Sequence, residues 1–390
     1  MDNLAKPEIR LFRWHLSAFQ AFGYTGLGLA ILTTMILIVL LGLSPWVMVG
    51  VIGIAILTFS GLAMVTKIIT GEEQLIYYHH EIAIMIMATI FLKMMNQPIL
   101  PYLDITILGI GAFLVCGRVG CLMVGCCHGR PNELGVCYRK EHASAGFPNY
   151  LVGVRLFPIQ AVESLWVFGV VLTGLIFMLT GSLPGEVLAW YVITYGIGRS
   201  CFESARGDTA RPYHWGFSAA QWTSVILMCA IVCAELAGML PLHTWHIVPS
   251  AAMILTMVAV ASARRFGQTV RYKLLDPRHV REIAEAIDRI SSGVSERKFI
   301  TGGHTVPEVI PLSSTSLGIQ ISAGKSKDAD RFIEHYALSS QNGSLGEEAA
   351  RSVADLIVQM KPLSGVNKLV TGGNGVFHLL IHPLSAGDQG

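Results

Sequence analysis

The sequence predicts an all-α polytopic membrane protein with a small carboxy-terminal soluble α+β domain. Three observations carry that prediction. Of 390 residues, 52% are hydrophobic and only 14% are charged, where soluble domains carry roughly 25% charged residues. Mean hydropathy is +0.55. Apolar runs long enough to cross a bilayer, about 20 residues each, recur as far as Ala263, and the composition then turns polar. Residues 264–390 hold 15 of the 28 Lys and Arg and 13 of the 26 Asp and Glu.

Eight runs approach the length of a span: Tyr24–Leu43, Trp46–Thr66, His80–Asn96, Leu103–Cys126, Pro158–Thr180, Pro184–Cys201, Phe217–Leu240 and His246–Ala263. The first follows Lys6, Arg10 and Arg13. No small-residue cleavage site comes after it, so it reads as a span rather than a signal peptide. Leu43-Ser44-Pro45 and Gly181-Ser182-Leu183-Pro184 are tight connections between neighbouring spans. The third run is short and the eighth only moderately apolar. The pattern is a seven-span core with an eighth span leading out of it.

Beyond Arg264, two stretches repeat apolar residues at helical spacing: Val280–Ile290, through Ile283, Ile287 and Ile290, and Glu347–Met360, through Val353, Ile357 and Met360. Leu317–Ser322 and Val376–His382 read as strands. Gly/Ser/Pro-rich connections cover Ser291–Ser316 and Ser339–Gly346. The division predicted is a membrane unit over 9–263 and a soluble unit over 264–390. The soluble unit carries no recognisable catalytic motif.

Net charge is +2, which suggests no nucleic-acid partner. Cations are distributed unevenly among the loops. Lys6, Arg10, Arg13, Lys67, Arg130, Arg139, Lys140, Arg155, Arg206, Arg211, Arg264 and Arg265 fall on one side, against Lys93 on the other. The usual Lys/Arg excess of cytoplasmic loops places that side in the cytoplasm. All 8 cysteines precede Ser250, in or beside apolar runs, which is not the pattern of a secreted disulfide framework.

The chemistry gathers at Gly117–Pro131, Gly-Arg-Val-Gly-Cys-Leu-Met-Val-Gly-Cys-Cys-His-Gly-Arg-Pro. Glycines let backbones approach, and a charge at membrane depth points to function. Alternating span direction puts Tyr77-Tyr78-His79-His80-Glu81, Arg118, Arg130, Pro158-Ile159-Gln160-Ala161-Val162-Glu163, Arg199, Glu203, Arg206 and Asp208 on the same face. Arg199 and Glu203 are four apart and can pair on one helix face. Several arginines around a cavity suit a phosphate, and a phospholipid head group is the natural phosphate there. A nearby histidine can move a proton.

Plainer readings stand beside these. Arg118 can snorkel from a helix end. Arg199–Glu203 can be a structural pair, His79 and His80 interfacial residues, and Gln160 and Glu163 helix-start residues. Cys121, Cys126, Cys127, His128 and Cys137 offer soft metal ligands, but C-x4-C-C-H-x8-C lacks the paired C-x2-C knuckles of zinc sites, and no metal is expected. A nucleophilic thiol, activated by the arginines, is a further possibility.

These residues, in this order, resemble the prolipoprotein diacylglyceryl transferase family. Its signature is roughly Gly-Arg-x-Gly-Asn-Phe-x-Asn-Gly-Glu-x-x-Gly-Arg. Gly117-Arg118-Val119-Gly120, Gly125 and Gly129-Arg130 follow it. Pro158, Gln160 and Glu163 match the family's Pro-Ser-Gln-x-x-Glu. Tyr195-Gly196-Ile197-Gly198-Arg199, Glu203 and Arg206 match its Tyr-Gly-x-x-Arg-x-x-x-Glu-x-x-Arg. Ala220-Gln221-Trp222-Thr223-Ser224 resembles Gly-Gln-x-x-Ser, His79 or His80 falls where a His-Gly-Gly histidine stands, and Arg13-Trp14-His15 is weakly similar to an amino-terminal Arg-Trp-Tyr. The likeness covers about residues 9–240.

The resemblance implies a multi-pass transferase of the plasma (inner) membrane that needs no cofactor. Its partners would be the membrane, phosphatidylglycerol and a prolipoprotein signal peptide with a lipobox cysteine. Diacylglyceryl would pass to the thiol, forming a thioether, as glycerol phosphate leaves. Arg118, Arg199 and Glu203 would hold the phosphoglycerol, His79 or His80 would act as base, and Arg206 would lie by the cavity mouth. Gly117, Gly120, Cys121, Gly125, Arg130, Gln160 and Glu163 would line the substrate. The chain departs from the family at Cys121 and Val124, where it has Asn, and at Cys126, where it has Glu. Two alternatives therefore stay open: a paralogous lipid transferase with another acceptor, using Cys121 or Cys126, and a non-enzymatic lipid- or metal-binding scaffold. The family also places its Gly-Arg-x-Gly face outside the cytoplasm, opposite to the charge count.

Overall fold

A computed structural model describes residues 5–11, 14–71, 76–209, 212–266, 273–294, 312–328, 331–360 and 364–383. Arg13 and Arg211 of the basic loops lie outside the described residues, as do residues 295–311 of the predicted connection.

A short hairpin of β1 (Glu8–Leu11) and β2 (Trp14–Ser17) leads into α1 (Ala18–Leu40). Then come α2 (Pro45–Thr70), α3 (Tyr77–Met94) and α4 (Ile99–Val124). Pro45 starts α2, where a missing N–H costs nothing, and Gly71 ends it in the left-handed conformation. An excursion follows through β3 (Pro131–Cys137), α5 (Lys140–Ser144) and β4 (Arg155–Leu156). Helices α6 (Ile159–Leu179) and α7 (Glu186–Ala205) form the next pair. The small hairpin β5 (Tyr213–His214) and β6 (Phe217–Ser218) precedes α8 (Ala219–Leu236), then α9 (Thr244–Phe266). Ser218 and Gln221 cap α8 reciprocally.

Six of these helices, α1, α2, α4, α6, α8 and α9, are long and apolar enough to cross a membrane. The sequence reading expects eight spans. Helices α3 and α7 fall short for one physical reason: they carry His80, Glu81, Arg199 and Glu203 on buried faces. Both lie within the bundle, α3 against α2 and α4, and α7 against α6 and α8. Helix α4 is central. Half of its most apolar window is buried inside the protein, against 17–22% for α1, α2, α8 and α9. Those outer helices expose Leu32, Ile36, Leu57, Ile68, Ile226 and Leu255, the apolar surface a bilayer would cover.

The carboxy-terminal unit holds α10 (Pro277–Val294), β7 (Leu312–Ser314), β8 (Ile319–Asp328), β9 (Arg331–Ser340), α11 (Glu347–Met360), β10 (Ser364–Thr371) and β11 (Phe377–Pro383). The strands form one antiparallel sheet, ordered β10-β11-β9-β8-β7. The two anticipated helices fall within α10 and α11, and the two anticipated strands overlap β8 and β11, starting two residues and one residue early. Ile283, Ile287, Val353 and Ile357 bury helix faces against Ile321, Leu338 and Leu379 of the sheet. The same core continues into Val136, Tyr138, Phe147, Leu151 and Leu156 of the excursion after α4. The carboxy-terminal unit is thus seated on the loop that follows Gly117–Pro131.

Candidate functional site

Gly125 ends α4 with φ +83°, a conformation glycine adopts freely. The chain then turns back beneath the helix end and is fixed between α6 and α7. Gly129 N donates to Phe157 O at 3.0 Å and Phe157 N to Arg130 O at 2.9 Å. Arg130 N donates to Ala205 O at 3.1 Å and Gly207 N to His128 O at 3.0 Å. A Cβ on Gly129 would stand 2.4 Å from the Phe157 carbonyl oxygen, so only glycine fits. Gly120 packs against Phe19 and Phe22 of α1.

This arrangement joins motifs far apart in sequence into one buried chain of alternating charge. Glu163, 1% exposed, meets Arg118 at 3.0 Å and Arg199 at 3.3 Å. Arg199 pairs with Glu203 at 2.7 Å, Glu203 with Arg206 at 3.4 Å, and Arg206 with Asp208 at 2.9 Å. Three guanidinium groups and three carboxylates alternate, so the network is close to neutral. Paired charges are what burial permits. Gln160 donates from Nε2 to Cys126 O at 2.7 Å, so its side chain reaches the signature loop. Arg118 Nε and Gln160 Oε1 are buried without a partner among the described residues.

Tyrosines join this network, unflagged as site residues in the sequence. Tyr195 donates to Glu163 at 3.3 Å, Tyr78 bonds Ser224 at 2.7 Å, and Tyr77 bonds Tyr191 at 2.8 Å. The rings of Tyr77, Tyr78 and Tyr195 lie within 5.8 Å of one another, centre to centre. Two histidines begin α3 on different faces. His79 is exposed. His80 is buried, 4.7 Å from the Phe59 ring, and donates from Nδ1 to Ile76 O at 2.9 Å. That bond leaves the Nε2 lone pair buried and without a partner among the described residues.

Below the end of α4, a cavity of about 270 Å³ opens between the signature loop and α10, lined by Cys126, Cys127, His128, Phe147, Tyr150 and Arg281 among others. His128 donates from Nδ1 to Gly129 O at 2.9 Å, and burial holds its imidazole below the ordinary histidine value. Gly117 has open space beside it, and Arg130 is half-buried at the loop.

Known proteins carry the same segments. Residues 45–237 match the family model described as prolipoprotein diacylglyceryl transferase. The phosphatidylglycerol–prolipoprotein diacylglyceryl transferase of Clostridium tetani is 31% identical over 121 residues, 30% of this chain and 46% of the relative. The enzyme of that name from Clostridioides difficile is 30% identical over 120 residues, 31% and 44% of the two chains. Transferase 2 of Clostridium perfringens is 29% identical over 112 residues, 28% and 41%. The chain thus spans less than half the length of these curated relatives. The matched residues run from the start of α2 to just past the end of α8 and include the whole buried charge network; over residues 45–237 this membrane protein is similar to the prolipoprotein diacylglyceryl transferase family.

Proposed function

We propose that the protein transfers a diacylglyceryl group from phosphatidylglycerol to a cysteine thiol of a prolipoprotein, in the plasma membrane. The observation that carries this reading is the buried network Arg118–Glu163–Arg199–Glu203–Arg206–Asp208. Glu163, Glu203 and Asp208 hold the guanidinium groups in place before lipid arrives. Such preorganised cations stabilise the charge that develops on a leaving phosphate. Arg118 Nε is the donor left over for a phosphate oxygen. Arg199 and Arg206 share carboxylates that can yield hydrogen bonds to the lipid.

In this reading the thiol proton passes to His80 Nε2, the free basic nitrogen. The sulfur attacks the terminal glyceryl carbon, the carbon–oxygen bond to phosphate breaks, and glycerol phosphate leaves with the electron pair. We assign the base to His80 rather than to exposed His79. We place Gly117, Cys121, Arg130 and Gln160 around lipid and acceptor, whereas Gly120 and Gly125 pack against Phe19 and Phe147.

The test is lipidation of a lipobox peptide by the full-length protein in a transferase-depleted strain, read as a diacylglyceryl mass increment. Wild-type protein restores it; Arg118→Ala and Arg199→Ala each abolish it while the protein remains folded. A transferring Arg199→Ala protein overturns the phosphate clamp. A folded wild-type protein that lipidates no lipobox peptide overturns the whole reading.

A further inference from the structure

Along the chain, Cys121, Cys126 and Cys127 lack the spacing of a metal knuckle. The fold supplies what the spacing lacks. Cys121 sits in the last turn of α4, and the turn at Gly125 carries the chain back on itself. Cys127 adopts φ +53°, the left-handed region that a residue with a side chain seldom occupies. Strained backbone of this kind gathers at functional sites. The result is that the three sulfur atoms lie within 4.8 Å of one another.

We infer that Cys121, Cys126 and Cys127 bind one thiophilic metal ion, zinc(II) or copper(I). A metal with bonds of about 2.3 Å to thiolate sulfur sets its sulfurs about 3.8–4.0 Å apart. The sulfurs, within 4.8 Å of one another, stand less than about 1 Å wider than that. The donor set is wholly soft, which selects these ions over magnesium, calcium or manganese. Three thiolates around a zinc(II) or copper(I) ion leave net negative charge. Arg118 and Arg206 both lie within electrostatic reach of Cys127 and supply the compensating positive charge. Gln160, buried, fixes the Cys126 carbonyl and so the turn that presents two of the ligands. Cys126 and Cys127 also line the 270 Å³ cavity. A fourth coordination position therefore opens toward space that a small ligand can enter, as in zinc sites that keep an exchangeable position.

This inference stands apart from the transfer reaction, since metal content is read without any activity assay. Full-length protein purified in detergent is analysed for metals. One zinc or copper ion per chain is expected, and the element found tells the two apart. Cobalt(II) added to chelator-treated protein gives sulfur-to-cobalt charge-transfer bands. Cys121→Ser, Cys126→Ser and Cys127→Ser each lower metal content several-fold, whereas Cys229→Ser on α8 leaves it unchanged. Size-exclusion profiles confirm that the variants fold, and the wild-type titration is independent of them. Wild-type protein that neither retains zinc or copper nor acquires either when supplied overturns the site. So does a disulfide between any two of Cys121, Cys126 and Cys127, found by peptide mapping of unreduced, denatured protein, since the site needs all three as thiolates.

Discussion

Glu163 is the residue on which the network turns. It bridges Arg118 of α4 and Arg199 of α7 from a position 1% exposed. Removing its charge takes from Arg118 the carboxylate it meets at 3.0 Å and leaves Arg199 with Glu203. Breaking a buried ion pair from one side costs about 3–5 kcal/mol. Glu163→Gln is therefore expected to lower the thermal unfolding midpoint clearly and to abolish transfer, with Glu163→Asp recovering part of the stability. An unchanged unfolding midpoint in Glu163→Gln would show that the bridges contribute nothing. The Arg199–Glu203 pair was legible in the sequence, because four-residue spacing on a helix dictates a shared face. The hub at Glu163 was not, because it joins three helices whose relative positions no local pattern encodes. Tyr78 was missed for a different reason: an aromatic at the head of a span normally reads as an interfacial anchor.

At the scale of elements, α3 and α7 show how a site reshapes the membrane pattern. Each trades apolar residues for buried polar ones, so each loses the hydropathy of a span while remaining in the bundle. The excursion from β3 to β4 is the other element that counts, since it carries the signature loop onto the carboxy-terminal core. His142 in α5 is buried there, and its Nδ1 accepts a hydrogen bond from Arg139 N at 3.2 Å. Burial holds this imidazole below its ordinary value, 6.5. In the window beneath 6.5 the unfolded chain binds the proton that the folded chain refuses, so stability falls as pH falls. From about pH 7.5 to about pH 5.5 the unfolding midpoint should drop, by less in His142→Gln. An identical pH slope in wild type and variant would rule out this histidine as the source.

Taken as a whole, the molecule has two cores, one inside the membrane bundle and one that the five-stranded antiparallel unit shares with the excursion between α4 and α6. Arg281 of α10 stands 5.6 Å over the Tyr150 ring, and α11 packs against β3. The carboxy-terminal unit therefore lies on the same face as Gly117–Pro131, whichever compartment that face meets. Glu133→Cys in β3 and Glu348→Cys in α11 should be labelled together, or protected together, by an impermeant maleimide on sealed vesicles, with peptides identified by mass. Labelling of one without the other would separate the two units across the membrane.

By itself, the sequence determined the helical membrane class, the turn to a polar α+β unit after α9, and the motifs of the transferase family. These follow from composition, periodicity and spacing, which are local properties. Only the tertiary structure decided that Glu163 sits between two arginines, that His80 rather than His79 turns inward, and that three cysteines converge. It also seated the carboxy-terminal unit on the signature loop. Each of these depends on which helix faces meet, and packing of the complete bundle sets that.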